Sequence, residues 1–192
     1  MIPYWPQPVL TLGPLTIHAF GLCVAAALLT GYFLVYRRAE RFGLPKDEAS
    51  GIYVATVFAG LLAGFLWSLA SGGQGISNTG LLLGGSTCLV LMTRGKRAFR
   101  SVVDLYGLTL PVVFMIARFG CFLAHDHVGR LTDSWLGVQF PGGNRFDLGL
   151  LQSIMSAVTA GVLIGFKRKP VPAGGLALTA LTMLTLSNFI VR

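Results

Sequence analysis

Long apolar runs separated by short polar connectors dominate this chain. The runs fall at residues 16–36, 51–69, 80–92, 101–124, 148–166 and 174–191. A membrane-crossing helix needs about 20 consecutive apolar residues, so the pattern predicts an all-α polytopic membrane protein. About six transmembrane helices are expected, in a single integral-membrane domain covering residues 1–192. The run at 80–92 is short and glycine-rich, and is expected to be a tilted or partly re-entrant helix. Pro111 interrupts the run at 101–124 and is expected to kink that helix rather than end it. Pro45-Lys46-Asp47-Glu48 has the form of a helix start, with acids in the first turn. Residues 1–14 are proline-rich, with Tyr4 and Trp5 suited to a membrane interface. Residues 125–147 form the longest polar segment. Small residues recur as Gly60-x-x-x-Gly64 and Gly80-x-x-x-Gly84, a spacing that lets helices approach closely or leaves space for a lipid chain.

Composition agrees. Hydrophobic residues make up 54% of the chain, charged residues only 11%, and the mean hydropathy is +0.71. A soluble domain carries about a quarter charged residues, which argues against one here. The net charge of +8 could suggest a nucleic-acid partner, but its distribution argues for topology instead. Arg37, Arg38, Arg41 and Lys46 share one connector; Arg94, Lys96, Arg97 and Arg100 a second; Lys167, Arg168 and Lys169 a third. Short basic connectors face the cytoplasm. Alternating six spans places all three on that side, with the N-terminus, residues 71–78 and residues 125–147 on the periplasmic side. No nucleic acid is expected as a partner. Cys23, Cys88 and Cys121 stand singly in apolar sequence, which predicts buried thiols and no disulfide framework. No basic region precedes an apolar run at the N-terminus, so a cleavable signal peptide is not expected.

Candidate chemistry gathers at residues 117–130. Arg118 follows Val112-Val113-Phe114-Met115-Ile116-Ala117, and an arginine there costs several kcal/mol unless it meets a partner, a polar cavity or a headgroup. One reading is an arginine near a helix end reaching for the interface. The sharper one is a guanidinium whose planar fork holds a phosphate from within the bundle. His125-Asp126-His127 follow at once. A histidine there could serve as a base, with the carboxylate orienting it or pairing with Arg118 or Arg130; two solvated loop histidines are the bland alternative. No further ligand spacing accompanies them, so neither a metal nor a cofactor is expected. His18 stands at the outer start of the first apolar run.

These residues carry a resemblance. Arg118-Phe119-Gly120-Cys121-Phe122, followed by Asp126 and Val128-Gly129-Arg130-Leu131-Thr132-Asp133, resembles the R-x-G-N-F-x-N-x-E-x-x-G-R-x-T-D signature of the prolipoprotein diacylglyceryl transferase family. Leu12-Gly13-Pro14-Leu15-Thr16-Ile17-His18-Ala19-Phe20-Gly21-Leu22 is similar to the family's opening I-G-P-x-x-x-H-W-Y-G-L. Gly80-Leu81-Leu82-Leu83-Gly84-Gly85 resembles its H-G-G-L-L-G stretch. The resemblance implies a multi-pass enzyme of the bacterial inner membrane with an outward N-terminus. Such an enzyme moves the diacylglyceryl group of phosphatidylglycerol onto the lipobox cysteine thiol of a prolipoprotein, releasing glycerol-1-phosphate. It further implies catalytic roles for Arg118, His125, Asp126 and His18. Arg118, Gly120, Gly129 and Arg130 would bind the lipid.

The chain departs from the family pattern at several places. Phe20 stands where the family has a tyrosine, Thr79 where it has a histidine and Cys121 where it has an asparagine. Thr185 lies near the position of a late arginine, and Gly149-Leu150-Leu151 replaces a histidine-proline pair before Gln152. Two expectations follow: a transferase in which His125 or His127 supplies the base, or a relative that binds phospholipid or lipoprotein precursor without transfer.

Overall fold

The computed structural model describes residues 1–73, 75–94, 99–166 and 173–191. Lys96, Arg97, Lys167, Arg168 and Lys169 of the basic connectors, and Gln74 of the 71–78 loop, lie outside the described residues. Every apolar run is helical: α1 (Ala19–Arg38), α2 (Lys46–Ala70), α3 (Asn78–Thr93), α4 (Phe99–Ala124), α5 (Leu148–Phe166) and α6 (Gly175–Val191). Among the described residues, four helices are long and apolar enough to cross a membrane: α1 with its extension to Phe42, α2, α4 and α5. Helices α3 and α6 are apolar but shorter. Phe33, Phe58, Phe65, Leu91, Ile164 and Leu178 are all exposed. Exposed apolar surface on this scale is the lipid-facing side of an α-helical membrane protein.

The chain forms two compact units, one of residues 1–31 with 107–192 and one of residues 32–106. In the second, α1 runs into a short 3-10 turn (Ala39–Phe42) closed by Gly43 at φ 69°. Lys46 pairs with Glu40 at 3.2 Å and lies 5.7 Å over the Tyr36 ring. Pro45 precedes α2, with Asp47 and Glu48 in its first turn as the sequence predicts. Val35, Ala39, Leu44, Ala49, Ile52, Val102 and Leu105 form the core. The glycine repeats are the seam between α2 and α3. A Cβ at Gly80 would lie 2.5 Å from the Ala63 carbonyl oxygen, and one at Gly60 3.0 Å from that of Leu81. Their absence lets the two backbones touch. Ser77 caps α3, its Oγ accepting from the Gly80 N–H at 3.4 Å, and the helix then runs unbroken.

In the first unit the all-α expectation needs correction, because two small β-sheets stand beside the helices. Strands β2 (Val9–Leu12) and β3 (Leu15–His18) form a hairpin on Gly13, whose φ is 61°. This hairpin is why α1 starts at Ala19 rather than residue 16. The polar segment 125–147 is no open loop. It holds β4 (Val128–Leu131), β5 (Val138–Phe140) and β6 (Gly143–Asp147), and β1 (Ile2–Pro3) adds in parallel to give the order β1-β5-β6-β4. Pro141-Gly142 makes the tight turn between β5 and β6. Helix α4 continues through the buried Pro111. Ala177 of α6 packs on Gly107, where a Cβ would lie 2.5 Å from the Ala177 Cα. The Ser153 hydroxyl of α5 donates to the Met115 carbonyl of α4 at 2.9 Å.

Candidate active site

The last two turns of α4, the polar turn after it and the start of α5 bring most of the candidate residues together. Helical spacing puts Arg118, Phe122 and His125 at i, i+4 and i+7, one face of α4 and its end. The Arg118 guanidinium is half-buried. Its Nη1 lies 4.0 Å from Cys121 Sγ and its Cζ 6.0 Å over the Phe114 ring. Among the described residues it has no carboxylate within ion-pair distance. A thiol and an aromatic face compensate a membrane guanidinium poorly.

Helix α4 ends at Ala124, and His125 takes a left-handed conformation with φ 52°. Glycine is the usual residue at such a helix end, since a Cβ there is strained. The tertiary structure holds His125 in place. Its Nδ1 lies 2.8 Å from Asp147 Oδ2, with the two side chains 3% and 0% exposed. Tyr4, Trp5, Phe122 and Phe140 surround the imidazole with ring centroids 5.1 to 5.4 Å away. Its Nε2 is buried and has no hydrogen-bond partner among the described residues.

Asp147 reaches His125 because α5 starts against the end of α4. Gly149 makes this possible: a Cβ there would lie 2.6 Å from the Phe122 nitrogen. Asp147 Oδ1 accepts from the Leu150 N–H at 3.2 Å, capping α5. The Leu148 N–H donates to the His127 carbonyl at 3.0 Å, fixing the turn. Burial pushes the Asp147 carboxyl above the usual carboxylate range; the hydrogen bonds from His125 and Leu150 pull the other way and only partly offset it.

The remaining candidates are less engaged. Asp126 and His127 are each 42% exposed, with His127 Nε2 3.9 Å from Asp126 Oδ1. Asp126 pairs with neither Arg118 nor Arg130 among the described residues. Arg130 is exposed, 5.9 Å over the Phe146 ring. Gly120 gives its space to α1, where a Cβ would lie 2.7 Å from Cys23 Cβ. Gly129 gives its space to Leu148 and Phe146, at 2.9 Å. His18 is exposed at the end of β3, paired through its backbone with Val9. Cys121, Asp126 and His127 offer ligand atoms within 4.8 Å of one another. Zinc bonds of about 2.0–2.3 Å need a tighter set, and the neighbouring guanidinium opposes a cation.

Sequence reasoning missed Asp147, although an aspartate directly before an apolar run is an N-cap signal. It also missed that Tyr4 and Trp5 pack on His125.

Comparison with known proteins is consistent along the chain. The family model described as prolipoprotein diacylglyceryl transferase matches residues 7–191. The phosphatidylglycerol–prolipoprotein diacylglyceryl transferase of Photobacterium profundum is 29% identical over 197 residues, covering 89% of this chain and 73% of that protein. The protein of the same name from Geobacter sulfurreducens is 27% identical over 204 residues, covering 94% and 78%. That from Clostridioides difficile is 23% identical over 198 residues, covering 95% and 80%.

Proposed function

Since the chain belongs to the prolipoprotein diacylglyceryl transferase family, we propose that it transfers the diacylglyceryl group of phosphatidylglycerol to the lipobox cysteine thiol of prolipoproteins. The observation that carries this is Arg118, a half-buried guanidinium late in a membrane helix with no carboxylate partner among the described residues. It holds the lipid phosphate and stabilises the negative charge that grows on the leaving glycerol-1-phosphate. A histidine of the 125–127 turn takes the thiol proton. Asp126 and the exposed Arg130 and His18 border the polar headgroup and the precursor. Gly120 and Gly129 serve by letting neighbouring backbone and side chains close around the site.

The same reading places the protein in the bacterial inner membrane as one domain of six spans, with α3 and α6 as the short ones. The N-terminus and residues 125–147 face the periplasm. The basic residues flanking α1 and α2 and preceding α4 support that orientation. Membrane-impermeant labelling of a Ser71→Cys variant in intact cells tests it, since cytoplasmic protection of residue 71 would invert the topology.

The activity is tested with purified protein, phosphatidylglycerol micelles and a lipobox peptide, reading thioether-linked lipid by mass spectrometry. Product from the wild type that vanishes in Arg118→Ala is expected. Wild-type protein that binds phosphatidylglycerol and makes no product would overturn the transferase reading.

A further inference from the structure

Two histidines flank Asp126, and they are held very differently. His127 is half-exposed and 3.9 Å from the nearest carboxylate oxygen, beyond hydrogen-bond reach. Among the described residues no hydrogen bond fixes its ring or its tautomer. The His125 Nδ1 sits 2.8 Å from Asp147 Oδ2 in a fully buried pair. A carboxylate accepts only, so the proton belongs on Nδ1 and the Nε2 lone pair is left free.

Two costs meet at this one residue. Among the described residues the buried Nε2 lacks a partner, and burying a polar atom without a hydrogen bond is unfavourable. The left-handed backbone at φ 52° is a second cost, because a Cβ is strained there. A glycine would end α4 without either. Strain kept where a simpler residue would fold marks a functional position. The placement also suits the chemistry, because His125 lies seven residues beyond Arg118 on one face, about 10 Å along the helix axis.

We propose that His125 Nε2 is the base that takes the proton of the incoming cysteine thiol, and that Asp147 is the positioning residue that holds the imidazole as its Nδ1–H tautomer. This rests on the transfer activity proposed above. The S–H proton moves to Nε2. The sulfur electron pair forms the S–C bond to the glyceryl carbon. The C–O bond to the phosphate breaks, and its electron pair leaves on the oxygen of glycerol-1-phosphate, beside Arg118. The imidazolium then gives its proton to that phosphate, restoring the starting state. Tyr4 and Trp5 keep water from Nε2 until the precursor displaces them. Their segment joins the sheet through the two-residue strand β1, and the Tyr4 ring lies 5.5 Å from that of Phe140 in β5.

The test joins two measurements on the full chain in phosphatidylglycerol micelles. The first is 15N NMR of labelled histidine in the wild type, where His125 is expected to carry its proton on Nδ1 alone. A proton on Nε2 overturns the proposal without any variant. The second is transfer to a lipobox peptide. His125→Gln and Asp147→Asn are each expected to lower kcat by about 10²-fold, with KM for phosphatidylglycerol within a few fold of wild type. Asp147→Glu, which keeps the carboxylate, is expected to recover part of the rate. A purely structural pair would lower thermal stability and leave kcat per folded molecule and its pH profile unchanged, and that result overturns the proposal. Wild-type product together with full activity in His125→Gln sinks the base assignment alone. Absence of wild-type product sinks the transfer activity and this role with it.

Discussion

Asp147 and His125 lie 22 residues apart in sequence and 2.8 Å apart in space, and they tie the C-terminal end of α4 to the first turn of α5. The same carboxylate accepts from the imidazole through one oxygen and caps α5 through the other. Local helix chemistry and the candidate base thus share one side chain.

The left-handed backbone at position 125 gives an inverted glycine effect. Within a helix, glycine costs about 1 kcal/mol relative to alanine. At φ 52° the order should reverse, so His125→Gly should exceed His125→Ala in stability by about 1 kcal/mol. Both should fall below wild type, because each leaves the buried Asp147 without its partner. Melting temperatures of the two variants in the same detergent decide it; alanine above glycine would contradict the observed backbone.

Burial raises the Asp147 carboxyl above its ordinary value of 3.8. A group whose folded value is raised contributes stability below the unfolded value and loses it as pH climbs through the folded one. The melting-temperature advantage of wild type over Asp147→Asn should therefore be fullest below pH 3.8 and shrink as pH increases. Activity should move the other way. Protonation on acidification releases the imidazole, so the acid limb of the kcat profile should sit above the range of an exposed aspartate and change in Asp147→Asn. A wild-type advantage that grows with pH would show that the ionised carboxylate is favoured by folding.

Arg118 should be costly to the empty protein. A guanidinium in a membrane helix without a carboxylate is unfavourable by up to about 2–3 kcal/mol, less near a helix end. Arg118→Leu should raise the melting temperature in lipid-free detergent while abolishing transfer. Added phosphatidylglycerol should stabilise wild type and leave Arg118→Leu unmoved. A variant that melts lower than wild type without lipid would mean that Arg118 is already paired.

The helices were legible because a bilayer imposes a long, uniform apolar run, and all six runs are helical. The sheets were not. Strand β1 has two residues and β4 to β6 have three to five, too short for a period-2 signal to emerge from the mixed sequence of 125–147. Arg118 was legible by its energetic cost in apolar sequence. The Asp147 partnership was not, because it depends on Gly149 letting α5 press against Phe122, a tertiary contact with no periodicity of its own. Tyr4 and Trp5 illustrate the same limit. An aromatic pair next to prolines reads as an interface anchor, and that reading gives no sign of its packing on His125.

The glycine seam separates packing from propensity. At Gly80 a Cβ would lie 2.5 Å from the Ala63 carbonyl oxygen, 2.7 Å from Trp67 Cβ and 2.8 Å from Gly64 Cα, so α2 and α3 must move apart to admit it. Gly161, on α5, has nothing within 4 Å of the same position. Gly80→Ala should cost about 1–3 kcal/mol through overpacking. Gly161→Ala should be neutral or stabilise by up to about 1 kcal/mol through helix propensity. The two substitutions are chemically identical, so a melting-temperature comparison isolates the seam. Equal effects would mean that α2 and α3 do not touch through their backbones, whereas a loss confined to Gly80→Ala means that close approach, not glycine content, holds that unit together.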